Sequence, residues 1–499
     1  MSDEYVFLAD GTSVWLDVAI HLSRSHGMRP TLWVGHPNHC ETAKQLFPGC
    51  SVWDERRLNF GDFPASTAGG LPSSVKNTAE YVIFETAALG SLNRNETFRR
   101  IPYQDRMIFL SALGDFLWEA SDLRSVKGFV GSQAPHSPAG LLLSGIMAAM
   151  GHELLHFDQI PLVPYLLPRL GAQFVPVKVP RMTEGLDSNE RERVRATLEA
   201  WLRRSKDLEI APWEKVNAQR EREQKGLVGW ARRIKYDRRL MGDLAAHYPS
   251  SIVHPLASRW GTPSLLQTAR VEWQRERRLR ELVREFNSSA EPALPRNSFG
   301  LFLLHYEPEK TTMPNGGLLA DQLAMIRRAR SLLPVSSELL VKEHPSQLNL
   351  STNGYVGRSP DFYRKVTEMS GVRLLEVRSE TREWITNAEV VFTVTGTVGI
   401  EAAMAGIPVL YFGFPWYAGI SGVKSIAEVD EEKVRSGLFP STSTPEVILE
   451  ELSDLVLRTG LRGLVSPGHA RRFSAEGWEE LYDRARLVEV VERHLGVSR

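Results

Sequence analysis

Thr393–Gly422 reads TVTGTVGIEAAMAGIPVLYFGFPWYAGISG. The β-branched run Val390–Val394 ends in Thr395-Gly396-Thr397, a helical stretch Val398–Met404 starts at once, and Pro408–Phe412 is the next apolar run. Strand, tight turn, helix, strand is the repeating unit of a parallel sheet with crossover helices. Small residues at a helix start leave backbone N–H groups able to meet an anion, and the helix dipole favours phosphate there. Glu401, one turn further on, is placed to accept hydrogen bonds from ribose hydroxyls. The alternative is a tight turn in which Thr caps the helix and Glu401 stands in water. Spacing alone does not separate the two. The segment is not GxGxxG, and nothing in it specifies a nicotinamide cofactor.

The same alternation extends upstream. Phe299–Leu304 reads as a strand, Leu318–Leu332 as a helix, and Glu338–Val341 and Val372–Leu375 as strands. Open parallel sheets bind ligands beyond the carboxyl ends of their strands, so the loops there are the candidates. One loop, LLHYEPEKTTMPNGG (Leu303–Gly317), offers His305, Glu307, Glu309 and Lys310. Carboxylates at such an edge act as general base or bond sugar hydroxyls, and a polar turn in water is the other reading. Another, LVKEHP (Leu340–Pro345), brings Lys342, Glu343 and His344 to the edge, where Lys and His suit phosphate; the alternative is a loop histidine without a ligand.

A second α/β series opens the chain. Tyr5–Ala9, Thr31–Val34, Tyr81–Phe84, Gly128–Val130 and Leu154–Phe157 read as strands, with helices from Val14, over Met107–Trp118 and over Ala139–Met150. Asp10 follows its first strand and His136 lies in the loop GSQAPH, so both are edge candidates. Residues 183–286 differ, with long charged stretches whose apolar residues recur at three- and four-residue intervals. They read as a solvated helical insertion or interdomain linker or, alternatively, as a basic surface for an anionic lipid headgroup or a polyanionic polymer. EPALP (Glu291–Pro295) marks a boundary, and the chain closes with helical stretches over Pro445–Arg458 and Ala475–His494.

Composition narrows the classes. The 499 residues suit two or three domains, and 42% hydrophobic with 24% charged residues is ordinary globular composition. Lys+Arg and Asp+Glu are both 60, and a balanced chain argues against a dedicated nucleic-acid binder. Two cysteines, Cys40 and Cys50, exclude a disulfide framework and a Cys-rich zinc site. The acidic start MSDEYVFLADG is unlike a signal peptide, and the most apolar stretch, Gly140–Gly151, is too short to span a bilayer. A cytoplasmic location is expected, with peripheral attachment at the inner membrane left open.

Taken together, LHYEPEKTTMPNGG with Asp321-Gln322 after it, LVKEHP, RSPDFYRKV (Arg358–Val366) and TVTGTVGIEAAMAGIPVLYFGFPWY resemble the capsule polysaccharide biosynthesis and export family, GT-B glycosyltransferases that include Kdo transferases. The likeness is strong over roughly 299–425, faint over 1–165, and absent across 170–295. It implies an α/β architecture of two Rossmann-like domains facing a cleft, with a helical insertion. Residues 1–180 would form the acceptor domain, 181–295 the insertion, 296–470 the nucleotide-sugar domain and 471–499 a final helix. It further implies transfer of a sugar, with a CMP-activated ulosonic or nonulosonic acid such as Kdo favoured, to a surface-glycan or lipid-linked acceptor. The nucleotide site would comprise Lys342, His344, Pro345, Thr395, Gly396, Thr397 and Glu401. His136, His305 and Glu309 would contact sugar or acceptor. Glu307, where the family's pattern has Gln, and Asp10 are the two carboxylates expected to do acid–base or nucleophilic work. No DxD-like motif stands out, so neither an obligatory metal nor a cofactor is expected. The alternatives are a UDP-sugar transferase or GT-B sugar epimerase using the same cleft, and a non-catalytic scaffold of polysaccharide export.

Overall fold

The computed structural model describes residues 4–9, 12–67, 69–92, 102–171, 175–176, 188–206, 229–235, 265–291, 298–307, 309, 312, 315–317, 321–349, 354–377, 381–465 and 482–497. Two sheets dominate it. The first takes β1 (Glu4–Ala9), β2 (Arg29–Gly35), β3 (Ser51–Asp54), β4 (Phe129–Gly131), β5 (Leu154–Gln159), β6 (Tyr165–Leu170) and β7 (Val175–Pro176). The second takes β8 (Ala290–Glu291), β9 (Phe299–Leu303), β10 (Glu338–Lys342), β11 (Val372–Leu375), β12 (Val390–Thr393), β13 (Val409–Tyr411) and β14 (Val423–Ser425). A last strand, β15 (Leu461–Arg462), returns to the first sheet.

Strand order is β15-β6-β5-β4-β1-β2-β3 in the first sheet and β14-β13-β12-β9-β10-β11-β8 in the second. The second is parallel throughout, and the first turns antiparallel only at β6 and its partners. In both, the chain builds outward on one side and then resumes on the other. The order therefore reverses between β1 and β4, and between β9 and β12. Loops diverge at such a reversal and leave a crevice at the carboxyl ends of the strands. The central strands are buried on both faces, as the all-buried FGLFL of β9 shows, because helices cover each side.

The strands and helices read from sequence stand for most elements, with two departures. Tyr81–Phe84 is not a strand but part of the helix Ala79–Ser91. Thr78 caps that helix by accepting from the Tyr81 amide at 3.2 Å, and Tyr81, Phe84, Ala87, Ala88 and Ser91 line its buried face at helical spacing. The short apolar run YVIF conceals that longer period. Leu461–Arg462, expected within the second domain, instead pairs antiparallel with Tyr165–Leu166. The helix Arg484–His494 then packs on Val14–His26 of the first unit, burying Leu487, Val490 and Val491.

The described parts of 183–286 are helical. The helix Ser188–Lys206 lies between the units, packing Val194, Leu198 and Leu202 against Tyr165 and Leu167 on one side and Ile448, Leu452 and Val456 on the other. The helix Leu265–Ser289 buries Leu282 and Phe286 against the second sheet's layer and leads into β8. Arg233 is not spent on a basic surface: it donates to Glu272 at 2.7 Å and also pairs with Glu276. Among the described residues, no helix is long and apolar enough to cross a membrane.

Candidate functional site

β9, β10 and β12 end side by side, Leu303 level with Lys342 and Phe302 level with Phe392. The loop after β9 turns in at His305, which is buried. Its Nε2 accepts from the Thr395 amide at 3.2 Å and so joins the two loops that flank the reversal. The next amide, Gly396 N–H, donates to Thr393 Oγ1 at 3.2 Å. A side chain at Gly396 would crowd Thr393 Oγ1 and the His305 ring, so this close approach favours glycine. The amides of Thr397 and Val398, at the start of the helix Val398–Met404, have no protein partner among the described residues. The anion-ready part of the turn is thus narrower than its sequence suggests. Tyr417 sits behind it, its hydroxyl donating to the Gly396 carbonyl and filling the space beside Gly399. Glu401 is half-buried in the first turn of the helix.

Beneath His305 lies a buried ionic frame. Glu343 is fully buried and receives Arg358 Nε at 3.0 Å and Nη2 at 3.1 Å, the Tyr363 hydroxyl at 2.8 Å and the His344 amide at 2.7 Å. Arg358 also donates to the His305 carbonyl at 2.9 Å, reaches Glu307 Oε2 at 3.1 Å and lies over the Phe362 ring at 4.5 Å. Two glutamines complete the frame. Gln322 accepts from the His305 amide at 2.8 Å and donates to Glu307 Oε1 at 2.6 Å, while Gln347 accepts from the Glu307 amide at 2.8 Å and donates to its carbonyl at 2.9 Å. The 305–307 turn is therefore fixed by three side chains, Arg358, Gln322 and Gln347. A buried charge persists only when paired and hydrogen-bonded, and here each is.

The charges set the protonation states. Burial drives the His305 imidazole down to about 3, and nearby His344 and Arg358 push the same way, so the ring is neutral. Because Nε2 accepts from Thr395, Nδ1 carries the ring hydrogen. Burial also lowers His344, against the pull of Glu343. Its Nδ1 accepts from the Ser346 amide at 3.1 Å as the cap of a short turn that begins at Pro345, which leaves Nε2–H as the donor of the neutral ring. Burial raises the Glu307 carboxyl, and Arg358 and Gln322 oppose it. Burial alone would lower Arg358; Glu343 and Glu307 overcome that and hold its charge.

His305, Glu307, His344, Pro345, Thr395, Gly396 and Thr397 thus lie on the carboxyl-end loops of three adjoining strands, with Glu401 in the helix that follows the last of them. Lys342 is turned elsewhere: it is buried, with Nζ donating to the Val377 carbonyl at 2.8 Å and the Glu376 carbonyl at 3.4 Å, beyond β11. Glu309 is exposed. Asp10 and Lys310 lie outside the described residues. The framing residues Glu343, Arg358, Gln322, Gln347 and Tyr363 were not assigned roles from sequence. Glu343, Arg358, Gln322 and Tyr363 did fall within the family-like runs, and Gln347 did not.

On the first sheet, His136 follows β4 and its Nδ1 lies 3.2 Å from the Ala134 carbonyl. Ser137 caps the helix Pro138–Ala149 and donates to Glu55, the residue after β3. Burial raises the Glu55 carboxyl. Arg169 on β6, level with His156 and Gly131, donates to the Phe414 carbonyl just past β13 at 3.0 Å. That contact brings the carboxyl ends of the two sheets against each other.

Comparison with known proteins agrees with the sequence motifs where they are densest. Residues 312–437 match the family described as capsule polysaccharide biosynthesis protein, which bears out the resemblance read from the motifs of that stretch. The capsule polysaccharide modification protein LipA of Neisseria meningitidis serogroup A is 30% identical over 83 residues, covering 17% of this chain and 11% of that protein. This chain therefore matches only about a tenth of its curated relative. Among solved structures, KpsC of Thermosulfurimonas dismutans, a beta Kdo 2,7 transferase, aligns with 36% of this chain and 62% of its own at 18% identity and a TM-score of 0.22. The calicheamicin glycosyltransferase CalG4 aligns over 99% and 98% at 12% identity and a TM-score of 0.22. Overlays this loose say nothing about chemistry.

Proposed function

We propose that the chain is a glycosyltransferase of surface-polysaccharide synthesis that uses a nucleotide-activated sugar, with a CMP-activated 2-keto acid sugar favoured. One observation carries the reading: the capsule-family match over 312–437 falls on the loops that converge at the β9/β12 reversal. In this reading the donor's phosphate meets the Thr397 and Val398 amides and the neutral Nε2–H of His344, and Glu401 takes ribose hydroxyls. Those donors would stabilise charge growing on the leaving phosphate without a net cation at the contact. Glu307 serves the reading better as the carboxylate that sets Arg358 and the 305–307 turn, since both its oxygens are bonded. The acceptor would enter along the first sheet's edge, near Glu55, His136 and Ser137.

A panel of CMP- and UDP-sugars tests this, read as thermal stabilisation and as transfer or hydrolysis by the purified protein. Stabilisation and turnover with a CMP-ulosonic acid is the expected result. Turnover with UDP-sugars alone replaces the donor, and no response to any nucleotide sugar removes the enzyme reading.

A further inference from the structure

Away from both sheet edges, three side chains converge where the chain's last helix meets its first. His21 and His26 come from the helix Val14–His26, and Glu492 from Arg484–His494. His26 is the final helical residue before Gly27 turns the backbone into the left-handed region at φ +66°. Two histidines five residues apart would diverge on a continuing helix; here the helix ends and their ring centroids stand 6.1 Å apart. Both Nε2 atoms point at one oxygen, Glu492 Oε1, at 3.0 and 2.7 Å.

We propose that His21, His26 and Glu492 bind a borderline divalent transition-metal ion, zinc being the best match, which clamps the final helix to the first unit. The three ligand atoms lie within 4.8 Å of one another. Metal–nitrogen and metal–oxygen bonds of about 2.0–2.2 Å place tetrahedral ligands roughly 3.3–3.5 Å apart, so small side-chain shifts admit the ion. Two imidazoles and one carboxylate select zinc, nickel or cobalt over magnesium and calcium, which prefer all-oxygen shells. A cavity of about 580 Å³, bordered by Val14, Val18, Ser25 and Val488, opens directly on the three residues and leaves room for water as a fourth ligand. At its rim Arg484 is paired with Asp17 at 3.2 Å, which mutes a cation that would otherwise repel the ion. Such an ion would be a structural clamp, separate from the nucleotide site and not required by the proposed reaction.

The rival arrangement is a purely hydrogen-bonded His–Glu staple. Zinc uptake by the full chain, stripped with chelator and carrying no His-tag, separates the two. About one equivalent bound, a rise in Tm with zinc but not magnesium, and cobalt absorption bands typical of four-coordinate sites are expected from the unmodified protein. Glu492→Gln preserves the shape and hydrogen bonding of the staple while removing the anionic ligand; it and His26→Ala should weaken zinc binding about tenfold or more. No uptake by the unmodified protein, or uptake unchanged in Glu492→Gln and in a His21→Ala/His26→Ala chain, overturns the proposal. The cobalt spectrum needs no variant, so a variant that fails to fold leaves the test intact.

Discussion

At the carboxyl edge of the second sheet, Glu343 and Arg358 are buried completely and Glu307 largely, and each is bonded to more than one partner. At the matching edge of the first sheet, Glu55, His136 and Ser137 are half-buried, and Ser137 bonds Glu55 across the edge. The strand order reverses in the same way in both. What differs is the cost of moving a side chain. Displacing one member of the buried frame strands another charge in low dielectric, whereas displacing the half-exposed His136 gives up a contact with the Ala134 carbonyl. A frame of the first kind holds one geometry and suits the invariant part of a ligand. An edge of the second kind can adjust to whatever it accepts.

The contrast breaks first at Arg358. Arg358→Ala should destabilise the protein by about 3–5 kcal/mol, because Glu343 loses its only fully buried cation among the described residues. Denaturant unfolding measures it, and a loss under about 1 kcal/mol would mean that the frame holds nothing together.

Acid should find the same region next. His305 must be neutral in the folded state, with its ring held down to about 3 against an unfolded value near 6.5. Its contribution is complete above about pH 6.5 and fades as pH falls toward 3, by a few kcal/mol. His305→Gln, whose side-chain oxygen reaches the Nε2 position and can still accept from the Thr395 amide, should flatten that part of the stability–pH curve. Parallel curves for the two proteins would place the acid sensitivity elsewhere.

Sequence made the sheet edge legible but not the frame within it. His305, His344 and the 395–401 turn were found because each follows its own strand directly, and strand ends are visible in a parallel α/β pattern. Arg358 was not assigned, since its partners Glu343 and Glu307 lie 15 and 51 residues away and no local period links them. Lys342 shows the converse error. Position put it at the edge, but side chains alternate along a strand and its ammonium leaves toward β11. The same gap between local run and longer period hid the helix over Tyr81–Phe84.

Smaller effects sharpen the comparison. Glu401→Ala should weaken donor-nucleotide binding about tenfold, or roughly 1.4 kcal/mol, without lowering Tm; unchanged affinity by calorimetry would move the nucleotide off this helix. On the first edge, Ser137→Ala removes a helix cap and should cost only about 1 kcal/mol of stability by thermal or denaturant unfolding. A cost matching that of Arg358→Ala would erase the distinction between the edges. Least of all, Glu307→Gln should hold turnover within about threefold, because an amide still accepts from Gln322 and Arg358 keeps Glu343. A hundredfold fall in turnover at unchanged donor affinity would instead give Glu307 a proton-transfer role.

The return of β15 to the first sheet has a consequence in time. Leu170, at the end of β6, and Leu461, which pairs against that strand, are about 290 residues apart. A ribosome adding roughly 5–20 residues per second needs on the order of 15–60 s to cross that distance. For that interval the Tyr165–Leu166 stretch of β6, beyond its pairing with β7, waits without β15, and the face later covered by Leu487, Val490 and Val491 stays open. Meanwhile the whole second sheet, contained within 290–425, emerges complete. The half of the molecule that is made first is therefore finished last, and its exposed strand edge and apolar face are what a nascent-chain chaperone would find to hold.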